Sequence, residues 1–422
     1  MKLALLTISL ACGLSFAQSP ATSKPSVFLV EGSNLYTTNL NDFLSKVTES
    51  NATLSSKKLA VENALALKDM MSIPNINPSL TFSRGSYNLN LPRDTYQSSG
   101  VTYPWGGTMT SPQSNTVTLS GTIEGYGKRN SRINYAETEI SKANIDSNLT
   151  LKDVEGIAVF AYIDALRLKQ IWQAIQNSSN LISAFKDSES DAALATNTGI
   201  QKNILADFKY LALGLNSLIG SNGIDLPNPT GTLNVPTRTF NSVEFNNDQF
   251  ERRSDIIAAR AALKTADANI DLTSKSRRID ISASLWLSQT PAYYSSTYGS
   301  MDTTQATGFS LTFPIPISNL SNGALTQAHN NKTQIELLIK DAFVRASAEA
   351  NQMLITYNSS KLRLLDAEAL YTAAIKDSTR NTKNFVRQRE LEVDLIDAQT
   401  FHLKSLIQLM RSIGDYSLPT LN

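Results

Sequence analysis

Two hydrophobic periodicities alternate along the chain, one of period two and one with heptad-like spacing. From Asn115 to Gly125, Val117, Leu119 and Ile123 fall on one face, opposite Thr116, Thr118, Ser120, Thr122 and Glu124, which predicts a strand. Asp280 to Ser288 repeats the pattern with Ile281, Ala283, Leu285 and Leu287 on one face. Gly308 to Phe313 sets Phe309, Leu311 and Phe313 against Ser310 and Thr312, and Leu80 to Leu89 alternates weakly. Four strands are expected.

Between the strands the spacing changes. After Gly127-Lys128-Arg129 a proline-free stretch reaches about Lys186. Alternate steps of three and four residues from Ile133 to Phe185 visit sixteen positions, twelve of them apolar. A helix of roughly 60 residues would be about 90 Å long at 1.5 Å per residue, more than a compact domain needs. A turn is expected at Asn197-Thr198-Gly199, beside a further run through Ile204, Phe208, Leu211, Leu215 and Leu218. Helix formers also dominate from Asn41 to Ser72, before Pro74 and Pro78.

The series then restarts. Asp248 to Arg278 is helical in character, and Gln289 to Gln305 reads as a Ser, Tyr and Thr-rich loop, as does Asn90 to Gln113 in the first half. A second long helix is expected from Ala324 to Arg389 and a shorter one from Leu391 to Ile413, with Ile396, Leu403, Leu406, Met410 and Ile413 as its stripe. Helix, strand, loop, strand, long helix, turn and helix thus occur twice, with Tyr162 and Tyr357 in equivalent places. The expected organisation is a signal peptide over 1–17, an extended arm over 18–40 and a first repeat over 41–220. A Pro and Asn-rich connector over 221–247, a second repeat over 248–415 and a tail over 416–422 complete it.

Composition narrows the chemistry. The 422 residues carry 38 Lys and Arg against 37 Asp and Glu, so bulk charge gives no hold on nucleic acid. Two histidines, His329 and His402, and one cysteine, Cys12, leave no metal or Cys-His constellation, and neither an enzyme activity nor a cofactor is expected. Lys2, the apolar Leu3 to Leu14 and Ser15-Phe16-Ala17 before Gln18 form an export signal cleaved after Ala17. Cys12 offers a lipidated alternative, against which stand Ser9 and the truncated apolar stretch. No later run is apolar enough for a spanning helix, so any crossing must be made by a β-barrel. Four strands cannot close one, and hydrocarbon tolerates no open edge. Three protomers would supply twelve.

This layout resembles the TolC-like outer-membrane efflux proteins. Arg252-Arg253-Ser254-Asp255-Ile256-Ile257-Ala258-Ala259-Arg260 is similar to the family's segment opening the second repeat, with Ser254 where proline is common. Gly127-Lys128-Arg129, Phe313-Pro314-Ile315-Pro316-Ile317, Asn322-Gly323 and Asp394-Leu395-Ile396-Asp397-Ala398-Gln399 resemble its other junctions. The resemblance implies a mainly α fold with a β-barrel part. Long antiparallel helices would form a periplasmic α-helical tunnel, and four strands per protomer a 12-stranded barrel of a homotrimer in outer-membrane lipid. It also implies a passive exit duct for efflux or type I secretion, working with a periplasmic adaptor (membrane fusion) protein and an inner-membrane transporter.

The resemblance extends to a gate. Asp394 and Asp397, three apart on one helix face, match aspartates lining the periplasmic aperture, where a trimer would build rings of carboxylates. The family's links beside them are altered here. Phe385 stands at a tyrosine position, Glu390 at an arginine position with Arg389 adjacent, and Lys202 near an aspartate position, so a charge-swapped Glu390–Lys202 link is one reading. Tyr87, Tyr96, Tyr103, Trp105, Trp286, Tyr293, Tyr294 and Tyr298 would suit an interfacial girdle. A soluble periplasmic coiled-coil scaffold or adaptor accounts for the heptads and the signal. It leaves the apolar faces of the strands without a partner.

Overall fold

The computed structural model describes residues 35–417, apart from 77, 86–88, 91–93, 99–100, 106–107, 110–112, 222–225, 234–237, 241–246, 296–298, 315–321 and 378–380. The expected signal peptide with Cys12, the arm up to residue 34, Tyr87, Tyr298 and the Ile315-Pro316-Ile317 passage lie outside the described residues. In chain order the first half holds β1 (Leu35–Thr38), α1 (Leu40–Ser50), α2 (Ala52–Ser72), β2 (Ser79–Gly85), β3 (Leu89–Asn90), β4 (Asp94–Ser98), β5 (Val101–Trp105), β6 (Thr108–Met109), β7 (Ser114–Ile123), α3 (Lys128–Ile182) and α4 (Ser188–Leu218). The second half holds β8 (Leu226–Pro229), α5 (Asn247–Phe250), α6 (Ser254–Ser276), β9 (Ile281–Thr290), β10 (Tyr293–Ser295), β11 (Gly299–Met301), β12 (Thr304–Thr312), α7 (Gly323–Lys376) and α8 (Thr382–Ser412).

The matching helices agree in length: α3 and α7 have 55 and 54 residues, α4 and α8 31 each. At 1.5 Å per residue the longer pair are each about 80 Å long. The helices pack side by side as α2-α3-α6-α7 near the strands and as α4-α3-α8-α7 farther away, so α3 and α7 run through both rows. The main core surrounds the middle of α3, where Phe43, Tyr162, Ile163, Leu166, Phe208, Leu215, Leu403 and Leu406 are all buried. A strap crosses this level. β1 pairs in parallel with β8, the Tyr162 hydroxyl accepts from the Thr230 N–H at 2.9 Å, and Lys169 donates to the Pro229 carbonyl at 2.8 Å. Tyr357, also buried, brackets Arg238 in the same way, accepting from its N–H at 2.9 Å and donating to its carbonyl at 2.8 Å.

Both helix turns fall elsewhere than the periodicity suggested. Asp187 caps α4: its carboxylate accepts from the Ser190 N–H at 2.6 Å, and its own N–H donates to the Ser190 hydroxyl at 3.2 Å. This reciprocal cap fixes the turn ahead of Ser188, and Asn197-Thr198-Gly199, expected as the turn, lies inside α4. Asn381 caps α8 by accepting from the Asn384 N–H at 2.8 Å, so the expected break between Arg389 and Leu391 lies inside that helix. Heptad spacing continues on both sides of each turn and does not locate it; the capping side chains do. Asn51 likewise breaks the helix expected from Asn41 to Ser72, accepting from Thr53 and Leu54 while donating to the Leu218 carbonyl at 2.9 Å.

Gly199 offers a direct test of the corrected turn. Nothing lies within 4 Å of a Cβ built there, and the residue is helical and exposed. Gly199→Ala is expected to stabilise the protein by about 0.5–1 kcal/mol, because the unfolded chain loses conformational freedom. Thermal unfolding of both proteins checks this, and a loss of stability would restore the turn to that position.

Among the described residues no helix is long and apolar enough to cross a membrane. The four longest strands form one antiparallel sheet in the order β12-β9-β7-β2. The regions expected as loops carry paired strands: β4 with β5, β3 with β6, and β10 with β11. Tyr96 and Tyr103 stand opposite each other in the first of these hairpins.

Candidate functional site

Register gives the sheet two unlike faces. Leu80, Leu119, Leu285 and Phe309 form one row across all four strands, and Phe82, Val117 and Leu287 form the next across β2, β7 and β9. These side chains are uncovered in the protomer: Leu80 is 73% exposed, Phe82 67%, Leu285 57% and Phe309 63%. On the alternate positions hydroxyls pair across strands, Ser79 with Ser120 at 2.6 Å and Ser284 with Ser310 at 2.7 Å. Thr116 donates to Ser288 at 3.0 Å in the same manner. A continuous apolar face backed by hydroxyl ladders suits a wall with hydrocarbon on one side and water on the other. The outer edges of β2 and β12 pair with no further strand among the described residues.

Polar bonds stitch the sheet to the helices. Gly127 takes a left-handed conformation (φ 80°) at the entrance of α3, which an L side chain would strain. Beside it Gly125 N–H donates to Asp280 at 2.8 Å, and Lys128 pairs with the same carboxylate at 2.9 Å. Arg132 grips Glu124 and donates to the Ile73 carbonyl at 3.2 Å, tying α3 to the end of α2.

At the start of α6, Arg253 is 9% exposed and donates to the Ser412 carbonyl at 2.7 Å and to Glu349 at 2.8 Å. Burial pulls its pKa down, but hydrogen bonds and charge from Asp255 and Glu349 outweigh that and hold it above the ordinary arginine value. Ser254 uses the N–H a proline would lack: it donates to the Tyr416 hydroxyl at 3.0 Å.

Three ion pairs run along the seam between α3 and α8. Arg411 meets Asp153 at 3.2 Å, Lys404 meets Asp164 at 2.5 Å, and Arg167 meets Asp397 at 2.6 Å. Nearer the turns, Arg389 is 8% exposed, donates to the buried Asn197 amide, and pairs with Glu390 at 3.0 Å. Asn197 continues to the Ser179 hydroxyl at 2.8 Å, so one chain of bonds joins α8, α4 and α3. The Phe185 and Phe385 rings lie 5.8 Å apart, and Ser178 donates to the Phe385 carbonyl at 3.4 Å.

Solved structures with the same arrangement include membrane proteins. The outer membrane protein VceC from Vibrio cholerae matches 89% of this chain and 96% of its own at 15% identity and a TM-score of 0.57. A membrane protein from Pseudomonas aeruginosa matches with a TM-score of 0.60 at 18% identity, over 89% of this chain and 93% of that one. The Campylobacter jejuni CmeC outer membrane channel gives 0.58 at 14%, over 89% and 85%. The chain has the TolC-like fold. No family model matches it, and no curated protein sequence does.

Within the TolC-like fold the expected gate residues are only partly brought together. Arg389 and Glu390 pair with each other, and Phe385 packs on Phe185 through its ring alone. Lys202 is exposed on α4, and within the protomer Glu390 pairs with Arg389 and not with Lys202. Asp394 is exposed, while Asp397 is half-buried against Arg167. Sequence reasoning missed Arg167 and Asn197. Both lie on other helices, far from their partners in sequence. Trp286 is half-buried on β9; Tyr96, Tyr103 and Trp105 lie on β4 and β5, Tyr293 and Tyr294 on β10.

His402 is 1% exposed on α8. Its ring stacks on Tyr357 at 5.0 Å, its Nδ1 lies 3.2 Å from the Ser360 hydroxyl, and its Nε2 has no partner among the described residues. Burial, with the nearby Lys361 charge, lowers its pKa below 6.5. The unfolded state therefore binds the proton more readily. Stability present above about pH 6.5 is lost as pH falls, by at most about 1.4 kcal/mol per pH unit. His402→Gln is expected to flatten this part of the profile, measured by unfolding each protein at pH 7.5 and 5.5; parallel profiles would place the acid sensitivity elsewhere.

Proposed function

We propose that this chain is the outer-membrane channel-tunnel of a tripartite efflux or type I secretion system. Three protomers would join β2 of one sheet to β12 of the next, closing a 12-stranded barrel in outer-membrane lipid. Their helix rows would close in the same way into a tunnel in the periplasm. The role is passive conduction, without catalysis or a cofactor. A periplasmic adaptor and an inner-membrane transporter would engage the far ends of the helices and open the aperture.

One observation carries this reading. A four-stranded sheet, whose outer strands pair with no further strand among the described residues and whose apolar face is uncovered in the protomer, is followed in sequence by helices of 55 and 54 residues. Open edges cost several kcal/mol per unpaired group in hydrocarbon, so a membrane-inserted protomer needs copies of itself. At the gate, Asp394 would supply the ring of free carboxylates. Arg389, Asn197 and Ser179 would hold α8 against α3 and α4 in the closed state, in the role first assigned to a Glu390–Lys202 link.

The test is assembly in membranes. The mature chain should fractionate with outer membranes, crosslink as a trimer and form ion-conducting pores in planar bilayers. A folded monomer released with the soluble periplasm would refute the reading and leave the scaffold alternative.

A further inference from the structure

The two strand-to-helix junctions bring together more positive charge than the chain can balance there. Residues 124–132 and 275–280 hold six cations, Lys128, Arg129, Arg132, Lys275, Arg277 and Arg278, against two carboxylates, Glu124 and Asp280, whereas the whole chain nets +1. Both carboxylates are already committed, Glu124 to Arg132 and Asp280 to Lys128. Lys275 has Asp271 at 2.9 Å, one turn up its own helix.

Arg129 and Arg278 have backbone partners instead. Arg129 donates to the Ser72 carbonyl at 2.7 Å and Arg278 to the Tyr126 carbonyl at 2.6 Å, and both residues are exposed. A carbonyl orients a guanidinium without neutralising it, and each keeps donors for an acceptor from outside the protein.

The surroundings indicate which acceptor. The apolar face of the sheet ends here, at Ile123, 56% exposed, and Ile279, 45% exposed. Tyr126 is 90% exposed beneath the Arg278 guanidinium, 5.8 Å from it. Exposed aliphatics, then a tyrosine with a polar tip, then arginines within a few residues match the change from acyl chain to headgroup at a membrane boundary.

We infer that this junction is a binding surface for anionic phospholipid headgroups, with Arg129 and Arg278 as phosphate ligands and Tyr126 at the glycerol level. The inference rests on the reading of the sheet as membrane-spanning and adds a lipid preference to it. Lipid charge would then fix how deep the barrel sits and would brace the start of α3, since Arg129 also holds the end of α2.

The experiment uses the full mature protein in phosphatidylcholine vesicles containing spin-labelled phosphatidylglycerol or spin-labelled phosphatidylcholine. Electron spin resonance separates lipid held at the protein from bulk lipid and gives the relative association of the two. Wild type should prefer phosphatidylglycerol, less so at high salt. Each cation near an anionic surface is worth about a fivefold change in association, so R129Q/R278Q should reduce the preference by more than tenfold. R129K/R278K keeps the charge and should retain most of it.

Equal association of both lipids with wild type, or an unchanged preference in R129Q/R278Q, would overturn the inference while leaving a protein-bound lipid signal. Absence of any protein-bound lipid would instead overturn the membrane-spanning reading, and this inference with it.

Discussion

Arginine at both Leu119 and Leu285 is expected to abolish membrane insertion and leave the helical part folded. The two residues are cross-strand neighbours at the middle of the apolar row, 49% and 57% exposed. On a lipid-facing barrel wall an arginine near the midplane costs about 2–4 kcal/mol, and the pair recurs in every protomer. On a water-facing sheet the same changes would be close to neutral, about 0.5 kcal/mol or less. The adjacent positions Ser120 and Ser284 also oppose each other but belong to the hydroxyl face. Arginine there should leave insertion intact. Flotation with vesicles measures the inserted fraction, and circular dichroism reports the helices. Full insertion of the Leu119 and Leu285 variant would place that face away from lipid and return the scaffold reading.

Period-two alternation marked the four longest strands within a few residues, because each has one face of a single character. The heptads marked the long helices for the same reason. Periodicity is silent about interruptions that leave the stripe intact, and both misplaced helix turns are of that kind. Asp187 and Asn381 start new helices by offering an oxygen to a free N–H, a contact of three residues' reach, while the apolar stripe continues past them. Gly199 carried a turn signal that the helix overrides, since its surroundings cost only the modest penalty of an exposed glycine.

The candidate site was legible where it is local and hidden where it is assembled. Asp394 and Asp397 could be seen as a pair on one face because they share a helix. The partner of Asp397 is Arg167, some 230 positions earlier, and the partner of Arg389 is Asn197. No spacing rule joins residues whose meeting depends on how α8 lies against α3 and α4. Within the protomer Glu390 pairs with Arg389 and not with Lys202, a choice that depends in the same way on how the helices lie together. Ser254 is the opposite case. Sequence showed a departure from proline, and its physical sense, a backbone N–H given to Tyr416, needed the fold.

The pairing of Asp397 changes what its removal should do. Arg167 and Asp397 are 33% and 30% exposed, so the pair contributes at most about 1 kcal/mol to stability, and breaking it should leave the fold intact. Electrostatics in the tunnel should respond far more. Asp394→Ala removes one free carboxylate per protomer and should reduce the cation preference of the pore. Asp397→Ala removes the same single charge per protomer and leaves Arg167 without its partner, so it should reduce that preference to about the same extent, because focused potential in a narrow duct scales with net ring charge. Arg167→Ala frees the Asp397 carboxylate and should raise cation preference above wild type. Reversal potentials under a salt gradient in planar bilayers should rank Arg167→Ala above wild type in cation preference, and wild type above Asp394→Ala and Asp397→Ala, which should fall together. Identical reversal potentials in conducting pores would remove all three residues from the ion path, and the aspartates would then belong to the outer surface of the tunnel.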